Sequence, residues 1–148
     1  MSVEPYRLIV VANRTCPCPG LITEIVQRTA ARNGSVLVVA PALNSRLRHF
    51  LSDTDAALIA AHERLKLAVE GLRSAGIHAN GEVGDADPLL AIEDAMTAFP
   101  ADAIILSTWP EGASHWLERN LLDRARARFD VPIDHMISRY DAPVGVAA

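Results

Sequence analysis

The sequence predicts a doubly wound, Rossmann-like α/β fold, with a five-stranded parallel sheet and helices on both faces. Three observations support it. Short apolar segments recur along the 148 residues, amphipathic helical segments alternate with them, and turn or capping residues separate the two kinds of segment. Strict strand–helix alternation requires right-handed crossovers and parallel strands, and we expect the strand order 3-2-1-4-5.

The first half of the chain begins with two buried strands joined by a helix. Residues 6–12 (YRLIVVA) and 35–40 (SVLVVA) are apolar almost throughout, as expected of strands covered on both faces. Pro19 suits the first turn of the helix between them. We expect that helix to stop at Asn33 and Gly34, because both residue types tolerate the left-handed conformation.

A long second helix leads to a third strand. Ser52 or Asp53 can cap its start, and Gly76 ends it. Residues 77–83 form a more polar strand, as expected at a sheet edge. The apolar stripe of the long helix consists of Leu58, Ala61, Leu65, Val69 and Leu72.

The second half repeats the alternation. Asp87 and Pro88 combine a capping carboxylate with proline at the first helical position, and residues 102–106 (DAIIL) form the fourth strand. Ser114 can cap the last helix, and residues 131–137 (VPIDHMI) form the fifth strand. The inner faces of these two helices are Leu89, Ile92, Ala95, Met96 and Phe99, then Leu117, Leu121, Ala125 and Phe129.

Composition excludes several classes of function. The net charge of −4 provides no basic field, and aromatic residues are only 5% of the chain, so we expect no nucleic-acid partner. No apolar run approaches the roughly 20 residues that span a bilayer, and no signal peptide is evident, so we expect a cytoplasmic protein without membrane contact. We expect one domain over residues 1–148, with its core at 6–138 and flexible tails at 1–5 and 141–148.

The strand order predicts where a ligand binds. In doubly wound sheets the site lies beyond the carboxyl ends of the strands, at the point where the order reverses. The first and fourth strands are neighbours there. The loops at residues 13–20 and 107–113 therefore face each other across the predicted site.

Two motifs resemble the universal stress protein family. VGDADP at residues 83–88, with the helix and strand that follow, is similar to the third-strand region of that family. VAN at 11–13 and STWPEGASHWL at 107–117 are similar to an actinobacterial-type branch of it. The resemblance covers residues 6–138. It implies the same fold, a stress-type regulatory or small-ligand-binding role, and dimerisation through the last strand.

The chain departs from the ATP-binding members of that family, which carry Gly-x-x-Gly, nine residues, then Gly-Ser or Gly-Thr. Trp109 stands at the first glycine position before Gly112, and Leu122-Asp123 replaces the final pair. Asn13 replaces the acidic residue that contacts the ribose. An indole blocks close backbone approach, and a carboxylate repels phosphate. The sequence disfavours ATP bound in the usual manner and leaves open another nucleotide or adenosine alone.

Several polar residues near the switch point are candidates for ligand contact. Serine, threonine and glycine at a helix start suit an anion, although local capping and turn formation explain the same residues. The ligand-binding residues indicated by fold position and resemblance are Ala12, Asn13, Arg14, Pro41, Ser107, Thr108, Gly112 and Ser114. The ligand or cofactor itself is not identified by the sequence.

Other chemistry-bearing residues receive a simpler interpretation. Cys16 and Cys18 could meet His115 around a metal, but Cys-x-Cys is a weak spacing signal, and we assign no metal site. Asp85 and Asp87 could act as an acid–base pair, yet helix capping by Asp87 is simpler. The arginines at 124, 126 and 128 indicate a solvated helix face. We assign no catalytic residue.

The last strand predicts self-association. Val131, Ile133, His135 and Ile137 share one face of an edge strand that only Pro132 protects. We expect a homodimer formed by antiparallel pairing of this strand.

Three functions are consistent with the sequence. The first is a non-catalytic stress-type regulatory or ligand-binding protein with a degenerate adenine-nucleotide site. The second is a nucleotide-dependent enzyme of the wider adenine nucleotide alpha hydrolase-like superfamily, which needs a nucleophile or intact phosphate loop. The third is a ligand-free homodimeric interaction module.

Overall fold

Five parallel strands and four helices make up the described part of the computed structural model. The strands are β1 (Arg7–Ala12), β2 (Ser35–Leu43), β3 (His78–Asp85), β4 (Ala103–Thr108) and β5 (Ile133–Ile137). The helices are α1 (Pro19–Thr29), α2 (Asp53–Ser74), α3 (Pro88–Ala98) and α4 (Leu121–Arg128). The structure describes residues 6–12, 19–29, 34–43, 53–85, 87–108 and 120–137.

The strand order is β3-β2-β1-β4-β5, so the predicted fold class and order are confirmed. β1 pairs with β2 from Arg7 opposite Ser35, and with β4 from Leu8 opposite Ala103. Four residues of β1 have no exposed surface, namely Leu8, Ile9, Val10 and Val11. A strand covered on both faces accepts only apolar side chains, which explains the continuous apolar run in the sequence.

The sheet separates two apolar layers. On one side, alternate residues of the strands pack against α1 and α2, and this layer includes Leu8, Val10, Ile25, Val69 and Leu72. On the other side, the intervening strand residues pack against α3 and α4, and this layer includes Ile9, Val11, Ile92, Ala95 and Ala125. Leu65, Val69 and Leu72 of the predicted α2 stripe lie in the first layer. The predicted inner face of α3, with Leu121, Ala125 and Phe129 of α4, lies in the second.

Several element ends differ from the prediction. β2 continues through Pro41 to Leu43, three residues beyond the predicted end at residue 40. α1 ends at Thr29, and residues 30–33, where we expected its stop, lie outside the described residues. Gly34 has no left-handed backbone. Its importance is close packing, because a Cβ there would lie 2.5 Å from Thr29 Cβ.

Gly76 ends α2 as predicted. Its φ of +85° is in the left-handed region, and Ile77 N donates to Leu72 O at 3.1 Å, which closes the helix end.

The predicted tails and the boundaries of a single domain are not tested by the described residues and remain predictions. No helix in the described ranges is both long and apolar enough to cross a bilayer.

Gly81 lets α2 lie close to the edge strand β3. A Cβ at this position would be 2.7 Å from Leu65 Cγ and 2.9 Å from Val69 Cγ2. Both neighbours belong to the buried layer under α2, so neither can move into solvent. We therefore expect Gly81→Ala to lower the free energy of unfolding by about 1–3 kcal/mol, measured by urea denaturation.

The control is the same substitution in a Leu65→Ala background, where the two Leu65 atoms that overlap the new methyl group are absent and only Val69 Cγ2 remains close. We expect Gly81→Ala to cost less in that background, because neighbouring residues couple. An equal cost in both backgrounds would show that steric overlap with Leu65 is not the cause.

Candidate functional site

The carboxyl ends of β1 and β4 lie side by side at the switch point. Ala12 stands opposite Ser107 in the parallel register, and both are the last or next-to-last residues of their strands. Ala12 belongs to the buried layer under α1 and α2, and Ser107 has no exposed surface. The switch point therefore has a small, buried floor, with Thr108 as the last described residue of β4.

Pro41 changes the hydrogen bonding at this edge. Ser35 N donates to Tyr6 O at 2.8 Å, so alternate residues of β2 donate to alternate carbonyls of β1. Continued by this register, residue 41 would donate to the carbonyl of Ala12. Proline has no N–H, so that ladder bond cannot form. In this register the Ala12 carbonyl, at the end of β1 and beside the switch point, receives no hydrogen bond from residue 41.

The ends of β2 and β3 continue the same edge of the sheet. Pro41 pairs with Gly84 and Leu43 pairs with Asp85, with a register shift between Pro41 and Leu43. A Cβ on Gly84 would lie 3.0 Å from Ala91 Cβ, so glycine lets α3 pack closely on β3. This extension of β2 was not predicted from the sequence, because proline in a strand signals its end.

Asp85 and Asp87 bind local backbone groups. Asp87 Oδ1 accepts from Leu89 N at 3.0 Å at the start of α3, and Asp85 Oδ1 accepts from Asp87 N at 2.8 Å. Asp87 has extended backbone angles and is followed by Pro88 in the first turn, as a capping residue should be. The predicted capping role of Asp87 is confirmed, and Asp85 supports the turn before it.

Helix starts surround this edge because every crossover in a parallel sheet leaves from the carboxyl ends of the strands and returns the chain to their amino ends. α1, α2 and α3 follow β1, β2 and β3 and begin on the carboxyl side of the sheet. The unpaired N–H groups of a helix start carry partial positive charge and attract anions. In α3 Asp87 already occupies this position. The first turn of α4 carries the exposed Asp123, which adds negative charge at the start of that helix.

The structure brings part of the predicted site together. Ala12, Pro41 and Ser107 lie at the carboxyl edge of three adjacent strands, and Thr108 ends β4 opposite Ile137. The remaining predicted ligand residues lie outside the described residues, namely Asn13, Arg14, Gly112 and Ser114.

Cys16, Cys18, His115 and Trp109 also lie outside the described residues, so their predicted roles are not tested. Within the described ranges, no group of three or more His, Cys, Asp or Glu side chains is placed to hold a metal ion.

No family model matches this chain, and no curated protein matches it. Its sheet and helices superpose on the universal stress protein of Archaeoglobus fulgidus, with a TM-score of 0.64, 18% identity, and coverage of 88% of this chain and 92% of that one. The chain has the universal stress protein fold. Two further structures of this fold contain a nucleotide.

One is the Archaeoglobus fulgidus protein in complex with dAMP, with a TM-score of 0.65, 16% identity, and coverage of 90% of this chain and 98% of that one. The other is a universal stress protein family member from Arabidopsis thaliana with AMP bound, with a TM-score of 0.61, 12% identity, and coverage of 95% and 97%. At these identities the likeness establishes the fold of this chain.

The capping role of Asp87 predicts a specific pattern of stability. We expect Asp87→Ala to lower the free energy of unfolding by about 0.5–2 kcal/mol, because the Leu89 N–H loses its acceptor. Asp87→Ser should retain most of the stability, since a serine hydroxyl can accept the same hydrogen bond. Thermal or urea unfolding measures both changes.

Asp94→Ala is the matched control, because it removes an exposed carboxylate from the same helix. Equal losses in the Ala and Ser variants of Asp87 would contradict capping and indicate that the charge itself matters.

Proposed function

We propose that this chain is a non-catalytic, cytoplasmic regulatory protein of the universal stress type, and that it binds adenosine or an adenine nucleotide at the carboxyl edge of β1, β2 and β4. The observation that carries the proposal is Pro41 within β2, because it has no N–H to donate to the Ala12 carbonyl next to the switch point. AMP and dAMP bound to other proteins of this fold support the choice of ligand.

The chemistry of the edge suits an adenine ring. A backbone carbonyl accepts hydrogen bonds, and the exocyclic amino group of adenine donates them. The described residues along this edge are small or apolar, since Ala12 ends β1 and Pro41 on β2 pairs with Gly84 on β3. Apolar surroundings with one directed polar group are typical of small-molecule sites.

The phosphate end of the proposed site favours a ligand with few negative charges. Asp123 in the first turn of α4 carries the same sign as a phosphate and competes for the positive end of the helix. Trp109 also replaces the first glycine of the usual phosphate-binding motif. We therefore propose that adenosine or a monophosphate binds better than a triphosphate, with Asn13, Arg14, Thr108, Gly112 and Ser114 contacting the sugar and phosphate.

We also propose that the protein is a homodimer through β5. Ile104 N donates to Pro132 O at 2.9 Å, so the backbone groups of Pro132 and Asp134 face β4. Because these directions alternate along a strand, the groups of Ile133, His135 and Ile137 face outward. An outward row of this kind fits the same strand of a second copy in antiparallel orientation.

The ligand proposal predicts selective thermal stabilisation. We expect adenosine or AMP at about a hundredfold excess over its Kd to raise the unfolding midpoint by roughly 5–10 °C. IMP should give a smaller shift, because it has a carbonyl where AMP has the donating amino group, a difference of about 0.5–1.5 kcal/mol. The absence of a shift with every adenine compound would overturn the proposal.

Pro41→Ala sharpens this test. The substitution restores an N–H that can donate to the Ala12 carbonyl, so we expect it to reduce the AMP shift while the free protein stays folded. Pro132→Ala is the matched control, because Pro132 is exposed and precedes the distant strand β5. Equal AMP shifts in the two variants would contradict a ligand contact with the Ala12 carbonyl.

The dimer proposal predicts the mass in solution. Sedimentation at micromolar concentration should give about twice the 16.0 kDa of one chain. His135 is the middle outward residue, so His135→Pro removes an N–H from the pairing row and should shift the mass toward the monomer. A monomeric wild-type protein at that concentration would contradict the proposal.

A further inference from the structure

An arginine already occupies part of the outward edge of β5. The outward carbonyl of Ile133 accepts from Arg126 Nε at 3.2 Å and from Arg126 Nη2 at 2.9 Å. Arg126 lies in the last turn of α4, the helix that precedes this strand. The guanidinium therefore supplies two donors to a carbonyl that the sheet leaves unpaired, in place of a neighbouring strand.

The opposite edge of the sheet has the same arrangement. Ser35 directs its backbone groups to β1, so the next residue, Val36, directs its backbone groups to β3. Val36 pairs with Ala79, and in a parallel pair the backbone groups of Ala79, including its carbonyl, then point away from the sheet. Arg73 Nε donates to Ala79 O at 2.9 Å, and Arg73 Nη2 donates to Asn80 Oδ1 at 3.1 Å. Arg73 lies in the last turn of α2, which precedes β3. Both edge strands therefore have an arginine on an outward carbonyl near their amino ends.

The helices that precede interior strands do not show this contact in the described ranges. α3 leads to β4 and has no basic residue in its last turn. α1 leads to β2, and its Arg28 pairs with Glu24 at 3.0 Å and with Asp134 at 2.6 Å. Among the described residues, the contact between an arginine and a strand carbonyl thus occurs at the two edge strands, whose outward carbonyls have no neighbouring strand.

The charge of Arg126 also affects the pKa of His135, the next outward residue of β5. His135 is half-buried, and burial together with the positive charge of Arg126 lowers its pKa. The two effects favour neutral imidazole. Because Arg126 binds the outward carbonyl of Ile133, it lies at the part of β5 that a second copy would have to approach.

We propose that Arg126 competes with a second copy of this chain for the Ile133 carbonyl and so limits pairing at β5. In an antiparallel pair centred on His135, Ile137 N–H of the second copy would reach Ile133 O. Arg126 must leave that oxygen before the bond can form. The inference rests on the proposed pairing through β5, and it identifies Arg126 as the residue that sets its strength.

The test is self-association of Arg126→Ala against Arg124→Ala. Arg124 lies on the same helix, is exposed, and has no side-chain hydrogen bond or ion pair with any residue in the described ranges, so both variants lose one charge. Sedimentation over a range of concentrations should give a dimer Kd at least about fivefold lower for Arg126→Ala than for Arg124→Ala. Arg126→Lys should fall between the wild type and Arg126→Ala, because it keeps the charge and one donor.

Unfolding midpoints confirm that each variant is folded, and Arg126→Lys provides the comparison if Arg126→Ala does not fold. Equal or weaker association of Arg126→Ala relative to Arg124→Ala would overturn the inference. The mass of the wild-type protein tests pairing through β5 separately. A monomeric wild type with a self-associating Arg126→Ala variant would support the role of Arg126 while contradicting the native dimer.

Discussion

The burial of β1 on both faces and along both edges is the constraint on which the rest of the structure depends. Its backbone pairs with β2 and β4, and residues 8–11 have no exposed surface. A strand in that position needs helices on both faces, and parallel pairing requires each helix to start near the carboxyl edge of the sheet and return the chain to the amino edge. The helix starts, the strand ends and the switch point therefore gather on one side of the molecule.

Much of the fold was predictable because its determinants are local. Continuous apolar runs indicate buried strands, and Asp87 with Pro88 marks a helix start whatever the rest of the chain does. The extension of β2 beyond residue 40 was not predictable in this way. Proline is forbidden in a strand only where its nitrogen must donate to a neighbour. Whether Pro41 faces such a neighbour depends on the register between β1 and β2.

The candidate site was predictable in position and not in detail. The strand order alone places the end of β1 beside the end of β4, which is why Ala12 and Ser107 meet. The complete burial of Ser107 depends on packing between distant segments, which no local pattern encodes. Likewise, the arginines at 124, 126 and 128 have the same local pattern, and only the edge position of β5 gives Arg126 a carbonyl to bind.

Strand carbonyls that lack a donor from a neighbouring strand occur at both sheet edges, and the same reasoning applies to the candidate ligand site. In the described part of the sheet, the carbonyls of Ala79 and Ile133 point outward, and each accepts from an arginine of the preceding helix. The carbonyl of Ala12 loses its ladder donor for a different reason, because residue 41 is proline. A buried acceptor without a donor is costly. Arginine side chains supply donors at the two edges, and under the proposed function the amino group of adenine would supply one at the switch point.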